Sequence, residues 1–236
     1  MRDTFTEHVA LIRAAVDQAA AIAGTPAGHA RIVAATKYLD AAAVAQLVHA
    51  GVSEIGENRL HSLVDKQADP ACAELSPGVV WQFIGRVQSR DVPQLCERVA
   101  RIHSLQSESA VRKLVAWQQE TGQALPELLV QVNTAGDAAK DGIQPDQLDA
   151  FLDGLPAGIS IAGLMTMPAF ADDPELSRGT FAALRKLAEA GRERFAGRHS
   201  LTELSMGTSQ DYLVAASEGA TLVRLGRVLY APLLDN

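Results

Sequence analysis

The residues best suited to chemistry stand far apart in this chain. Lys37 closes a short apolar run, Arg31-Ile32-Val33-Ala34-Ala35-Thr36-Lys37, that reads as a buried strand. A lysine in apolar surroundings gives up its proton readily, and the neutral amine condenses with an aldehyde. A lysine that snorkels from the strand end into water does neither, and on this stretch alone both readings stand. Near the other terminus, Ser205, Gly207, Thr208 and Ser209 bring hydroxyls and backbone that a ligand can approach closely, and Gly226-Arg227 opens a short helix whose N-terminus favours an anion. Together they suit a phosphate, unless Gly207 and Gly226 only turn the chain. Arg224, between Val223 and Leu225, shares side-chain parity with Leu222, so it faces either a ligand or a structural salt bridge. Asn58, within Glu57-Asn58-Arg59, either orients a ligand or satisfies loop backbone.

Something must bring these residues together. Phe5, Val9, Ile12, Val16 and Ala19 recur at three- and four-residue intervals, which predicts an opening helix ended by Gly24, Pro26 and Gly28. After the lysine strand, Asp40 offers an N-cap to a helix over 41–50. The same rhythm then repeats, with strands expected at 53–58, 79–85, 101–105, 128–133, 159–167, 203–206 and 221–226, and helices between them. The longest helix is expected from about Pro174 to Phe195. Strands without strict polar alternation, each followed by a helix, indicate a parallel sheet covered by helices. Eight such units fit an α/β fold of the closed (β/α)8 TIM-barrel type, with the opening helix as an extra element. An open doubly wound sheet is the alternative, but no GxGxxG or P-loop opens the first unit. No proline-rich or low-complexity linker divides residues 1–236, so one domain is expected.

In a barrel the active face lies at the C-terminal ends of the strands, and phosphates bind after strands seven and eight. Those ends carry Lys37, Asn58, Gly85, His103-Ser104, Asn133, Met165, the 205–209 segment and 224–226. A lysine facing a phosphate site implies a phosphorylated aldehyde held as a Schiff base, and pyridoxal 5'-phosphate has both groups. A Schiff-base aldolase is the rival reading; it needs an acid/base pair that the residues do not identify.

Composition narrows the partners. With 21 basic and 28 acidic side chains the formal net charge is -7, which argues against a nucleic-acid groove or an anionic membrane surface. Cys72 and Cys96 lie in unrelated contexts with no CxxC, so neither a disulfide framework nor a metal site is expected. The N-terminus lacks a secretory apolar core and no segment has membrane length, which predicts a cytoplasmic protein.

The motifs also resemble a known family. Ala35-Thr36-Lys37, Gly56-Glu57-Asn58-Arg59, Trp81-Gln82-Phe83-Ile84-Gly85, Ile102-His103-Ser104, Gln131-Val132-Asn133, Gly163-Leu164-Met165, Leu204-Ser205-Met206-Gly207 and Val223-Arg224-Leu225-Gly226 occur in the order found in the pyridoxal phosphate homeostasis proteins. These are single-domain relatives of the alanine racemase N-terminal barrel, the type III fold of pyridoxal-phosphate proteins. The resemblance implies that Lys37 holds the cofactor as an internal aldimine. It implies phosphate contacts from Ser205, Gly207, Ser209 and Gly226, with Arg224 close to the pyridine ring and Asn58 beside it. It also implies a role in vitamin B6 homeostasis, carrying and buffering the cofactor and handing it to apoenzymes. No catalytic residue is assigned. Several positions depart from the family pattern: Gln82 stands for a common histidine, Arg90-Asp91 for an Asn-Lys pair, Gln106 for an aspartate, Thr208 for a methionine and Arg227 for a threonine.

The competing reading is a racemase or lyase that uses pyridoxal phosphate on an amino acid. An arginine at the pyridine nitrogen keeps that nitrogen unprotonated, because a guanidinium does not give up its proton, and the ring is then a weaker electron sink. A racemase of this barrel type also needs a second base, which the resemblance places in an added β-domain. The sequence ends after the eighth unit, and Tyr38, Tyr212 and Tyr230 offer no obvious opposing base. A monomeric carrier is therefore the expectation.

Overall fold

The computed structural model describes residues 2–75, 78–137 and 140–234. Eight strands alternate with helices: β1 (Arg31–Ala35), β2 (Glu54–Glu57), β3 (Val80–Phe83), β4 (Arg101–Leu105), β5 (Glu127–Gln131), β6 (Ile161–Met165), β7 (Glu203–Thr208) and β8 (Leu222–Leu225). They pair in parallel, in sequence order, and β8 pairs with β1 to close the barrel. The helices are α1 (Arg2–Ile22), α2 (Ala41–His49), α3 (Leu60–Ala68), α4 (Pro70–Ala73), α5 (Val92–Arg98), α6 (Glu108–Thr121), α7 (Leu148–Asp153), α8 (Arg178–Arg194), α9 (Tyr212–Ser217) and α10 (Arg227–Leu234). The (β/α)8 expectation is met, and the extra helix α1 packs on α9 and α10.

Local chemistry accounts for the element limits. Asp40 caps α2 by accepting from the Ala43 N–H at 2.8 Å, and Ser107 caps α6 through the Ala110 N–H. Gly122 ends α6 at φ 67°, a left-handed conformation open to glycine. The apolar stripe of α1 (Phe5, Val9, Ile12, Val16, Ala19) is buried as its spacing predicts.

Two apolar regions are distinct. The large one lies between the outer face of the barrel and the helices. The small one lies in the lumen and comprises Val33, Leu129 and Leu222, with Ile84 and Ala162 against it. Since side chains alternate along a strand, residues that share parity with Val33 and Leu222 point inward. That rule sends Arg224 into the lumen, level with Val33 across the β1–β8 seam. Most of the remaining lumen is polar.

Several strand ends differ from the sequence expectation. β1 stops at Ala35, two residues short of Lys37, because the chain turns there: the Leu39 N–H donates to the Thr36 carbonyl at 2.9 Å. Lys37 is therefore an exposed turn residue, not the end of a buried strand. β7, in contrast, runs on through Gly207 and Thr208.

Candidate functional site

The lysine turn is built from below. Thr36 is fully buried, and its hydroxyl donates to Oε1 of Glu57 at the end of β2. Lys66 on α3 donates to the same carboxylate oxygen, and to the Thr36 carbonyl at 2.7 Å. One carbonyl thus accepts both the turn-closing Leu39 N–H and a buried ammonium. Glu57 and Lys66 are buried beneath the turn, and Lys37 is exposed on it, just past the C-terminal end of β1. Its Nζ lies 4.7 Å from the centre of the Tyr38 ring.

Across the seam from β1, Arg224 is 4% exposed. It donates from Nη1 to the Ser205 hydroxyl, and from Nη2 to the Thr166 carbonyl and Met167 Sδ, both at 2.8 Å. Among the described residues it forms no ion pair. Burial pulls its pKa down to about 10, partly offset by the more distant charge of Asp211, so it remains a cation at neutral pH. A buried guanidinium without a carboxylate calls for an electron-rich partner.

Ser205 belongs with Arg224 and not with the phosphate loop expected from sequence. It is fully buried, and its oxygen meets His103 Nδ1 at 2.7 Å as well as Arg224. His103 Nε2 reaches Gln82 Oε1 at 2.6 Å, and Arg101 Nη1 donates to that oxygen at 3.2 Å. Gln82 in turn donates to Glu54, which pairs with Arg31 and Arg101. Burial first, then the charges of Arg224, Arg101 and Arg31, hold the His103 pKa well below the ordinary histidine range.

The segments after β7 and β8 form the third part. Ser209 Oγ accepts the Gly226 N–H at 2.9 Å and the Val228 N–H at 3.4 Å, which ties the β7–α9 loop to the start of α10. Buried Asp211 accepts from the backbone and hydroxyl of Thr208 at 2.7 and 3.1 Å. Gly207 has φ 88°, and a Cβ there would stand 2.5 Å from the Ala215 methyl, so conformation and space both demand glycine. At Gly226 an added Cβ would enter the cradle itself, 3.6 Å from both Ser209 Oγ and Tyr230 Oη and 3.8 Å from the Ala35 carbonyl. Arg227, beside it, is exposed.

The barrel thus gathers Lys37, Arg224, Ser209, Gly207 and Gly226 along the β7–β8–β1 arc, and puts Ser205 beneath Arg224. Asn58 stands apart at the β2 exit, lining a cavity of about 570 Å³ with Arg59, His61, Phe83, Arg86 and Arg90. Its backbone fixes Gly85, where a Cβ would lie 2.0 Å from the Asn58 carbonyl oxygen. Sequence reasoning gave no role to Gln82, Asp211, Glu57 or Lys66, and named His103 only as a strand end and as part of a motif. Strand parity with Arg224 and Ser205 was the available signal for Gln82 and His103; the partnership of Glu57 and Lys66 follows from packing across α3.

An amine at the mouth, a buried cation without a carboxylate among the described residues and the Ser209 hydroxyl held against the backbone that opens α10 are together a fit for a phosphorylated pyridine aldehyde. A family model described as the alanine racemase N-terminal domain matches residues 8–233. The pyridoxal phosphate homeostasis protein of Deinococcus radiodurans is 35% identical over 226 residues, 94% of this chain and 99% of that one. PipY of Synechococcus elongatus, in its structure with pyridoxal phosphate bound, superposes with a TM-score of 0.76 at 29% identity, covering 96% of this chain and 99% of that one. The alanine racemase of Clostridium difficile shares the fold, with a TM-score of 0.66 at 15% identity over 86% of this chain and 55% of that one.

Proposed function

Since the chain belongs to the pyridoxal phosphate homeostasis proteins, within the alanine racemase N-terminal domain family, we propose that it binds pyridoxal 5'-phosphate as a single-domain carrier and buffer. The observation that carries this reading is Arg224, a buried guanidinium with no ion-pair partner among the described residues, in the lumen on the strand that pairs with the one leading to Lys37. The cofactor supplies the aldehyde, the pyridine nitrogen and the phosphate, and each side chain then has one task. Lys37 would be the amine that holds the cofactor through its aldehyde. Arg224 would face the pyridine nitrogen as a donor that keeps its own proton. Ser209 and the Gly207 and Gly226 backbone would hold the phosphate, and Asn58, at the β2 exit, would stand beside the ring.

A ring nitrogen paired with arginine makes a weak electron sink, which favours holding the cofactor over turning over an amino acid. On this reading the protein works as a cytoplasmic monomer that releases the cofactor to apoenzymes through exchange of the Lys37 linkage for another amine. The deciding experiment is a visible spectrum of the purified protein with added pyridoxal phosphate. We expect an imine band that survives gel filtration, that borohydride fixes to Lys37 in a peptide map, and that Lys37→Ala abolishes. A protein that stays colourless with excess cofactor sinks the carrier reading. Steady racemisation or decarboxylation of an amino acid, lost in Lys37→Ala, would show an enzyme instead.

A further inference from the structure

We propose that His103, acting through Ser205, is a positioning residue that fixes the direction in which Arg224 presents its guanidinium to the barrel mouth. The inference rests on the cofactor reading for its purpose, but its geometry stands in the ligand-free protein.

The direction of every proton in this relay follows from its two ends. Arginine can only donate, so the Gln82 atom facing Arg101 Nη1 is the carbonyl oxygen, and the Gln82 amide NH2 faces Glu54. The same oxygen faces His103 Nε2, which must therefore carry a proton. At the other end, Arg224 Nη1 donates to Ser205, which keeps the Ser205 lone pairs on that side and turns its hydroxyl proton toward His103 Nδ1. His103 is thus the neutral Nε2–H tautomer. The opposite tautomer would set Nδ1–H against a hydroxyl already receiving from Arg224, with the Ser205 proton left without an acceptor. Burial among three arginines opposes the doubly protonated form as well.

The Arg101–Gln82–His103–Ser205–Arg224 relay has a single polarity, anchored at the β4 end by the pairing of Arg101 with Glu127 and Glu54. Its effect falls on Arg224. A serine hydroxyl left to itself rotates, and can turn either its proton or its lone pairs toward the guanidinium. With His103 taking the proton, only the lone pairs face Nη1. The Thr166 carbonyl then fixes Nη2, and the plane of the guanidinium is set before any ligand arrives. Gln82 stands where relatives of the resembling family commonly carry histidine, and here it supplies the oxygen that chooses the tautomer.

The test has two arms. Long-range ¹H–¹⁵N correlation spectra of the ligand-free, ¹⁵N-histidine-labelled protein at pH 7, with His103→Asn used for assignment, should give His103 the shifts of a neutral Nε2–H ring. An Nδ1–H ring or an imidazolium overturns the proposal. In the second arm, pyridoxal phosphate is titrated into the wild type, His103→Phe, His103→Asn and Ser205→Ala, with melting curves to establish that each variant is folded. Phe removes the acceptor while keeping bulk, and should weaken binding roughly tenfold and shift the visible band; Ser205→Ala should do the same. Asn places an acceptor near the Nδ1 position and should restore most of both. If folded His103→Phe binds with wild-type affinity and an unchanged band, the inference is wrong. If the Phe variant does not fold, the Asn and Ser205 variants and the tautomer decide. Failure of the wild type to bind the cofactor would overturn the carrier reading, and the tautomer would still report on the relay separately.

Discussion

Lys37 draws attention as an amine at the mouth, but the residues beneath its turn are Thr36, Glu57 and Lys66. The Glu57–Lys66 pair is almost wholly buried, and Glu57 Oε2 accepts no hydrogen bond among the described residues. Replacing Lys66 by Met leaves the carboxylate with the Thr36 hydroxyl alone, and loss of one partner of a buried pair costs about 3–5 kcal/mol. Urea unfolding of Lys66→Met should show that loss, and adding Glu57→Gln should recover part of it; a Lys66→Met protein as stable as the wild type would refute the account. His103 supplies a second prediction. In the folded protein its pKa lies well below the unfolded value near 6.5, so below pH 6.5 the unfolded chain takes up a proton that the folded chain refuses. Its contribution is complete above pH 6.5 and declines as the pH falls toward the folded pKa, by up to about 1.4 kcal/mol per pH unit. His199, lowered chiefly by burial, adds in the same direction. Denaturant midpoints from pH 7.5 to 5.5 should fall in the wild type and fall less steeply in His103→Asn. Lys37, Arg224, Ser209 and the two glycines were legible from sequence because their types are unusual at strand ends. The relay was not, since hydrogen bonds between β3, β4, β7 and β8 depend on a register that no local pattern encodes.

Among the elements, the strand–helix alternation was readable throughout because apolar runs and caps repeat at regular spacing. The ends were less so. β1 seemed to reach Lys37 because buried Thr36 continues the run, although its side chain is spent on Glu57. α4 went unrecognised: at four residues it is too short to show a helical period. The β7 extension through Gly207 looked like loop because glycine and threonine suit a turn as well as a strand. Helix α1 offers the clearest test at this scale. Val16 is fully buried in the stripe facing α9 and α10, the helices that follow β7 and β8. Val16→Ala removes two methyl groups and should cost about 2 kcal/mol in unfolding free energy by chemical denaturation. A change within a few tenths of a kcal/mol would mean that α1 is held loosely.

As a whole, the molecule keeps its apolar mass between barrel and helices and fills much of its lumen with paired polar groups. Length and alternation made the closed barrel readable, whereas the polar lumen was hidden: parity names the inward residues but not their partners. A ligand that binds only the folded form raises stability by RT ln(1 + [L]/Kd), about 2.7 kcal/mol at one hundred times Kd. The melting temperature should therefore climb with pyridoxal phosphate concentration in the wild type and far less in Lys37→Ala; equal shifts would place the dominant binding elsewhere. The β1–β8 seam has a further consequence, and it concerns time. Ala35, two residues before Lys37, comes up against Gly226 only because the first and last strands pair, a contact between distant parts of the chain that is slow to form. A chain whose helices have formed but whose barrel is open has the amine and the cradle, yet no site. In refolding followed by stopped flow, far-ultraviolet ellipticity should recover first and the cofactor band later, so that colour serves as a clock for barrel closure.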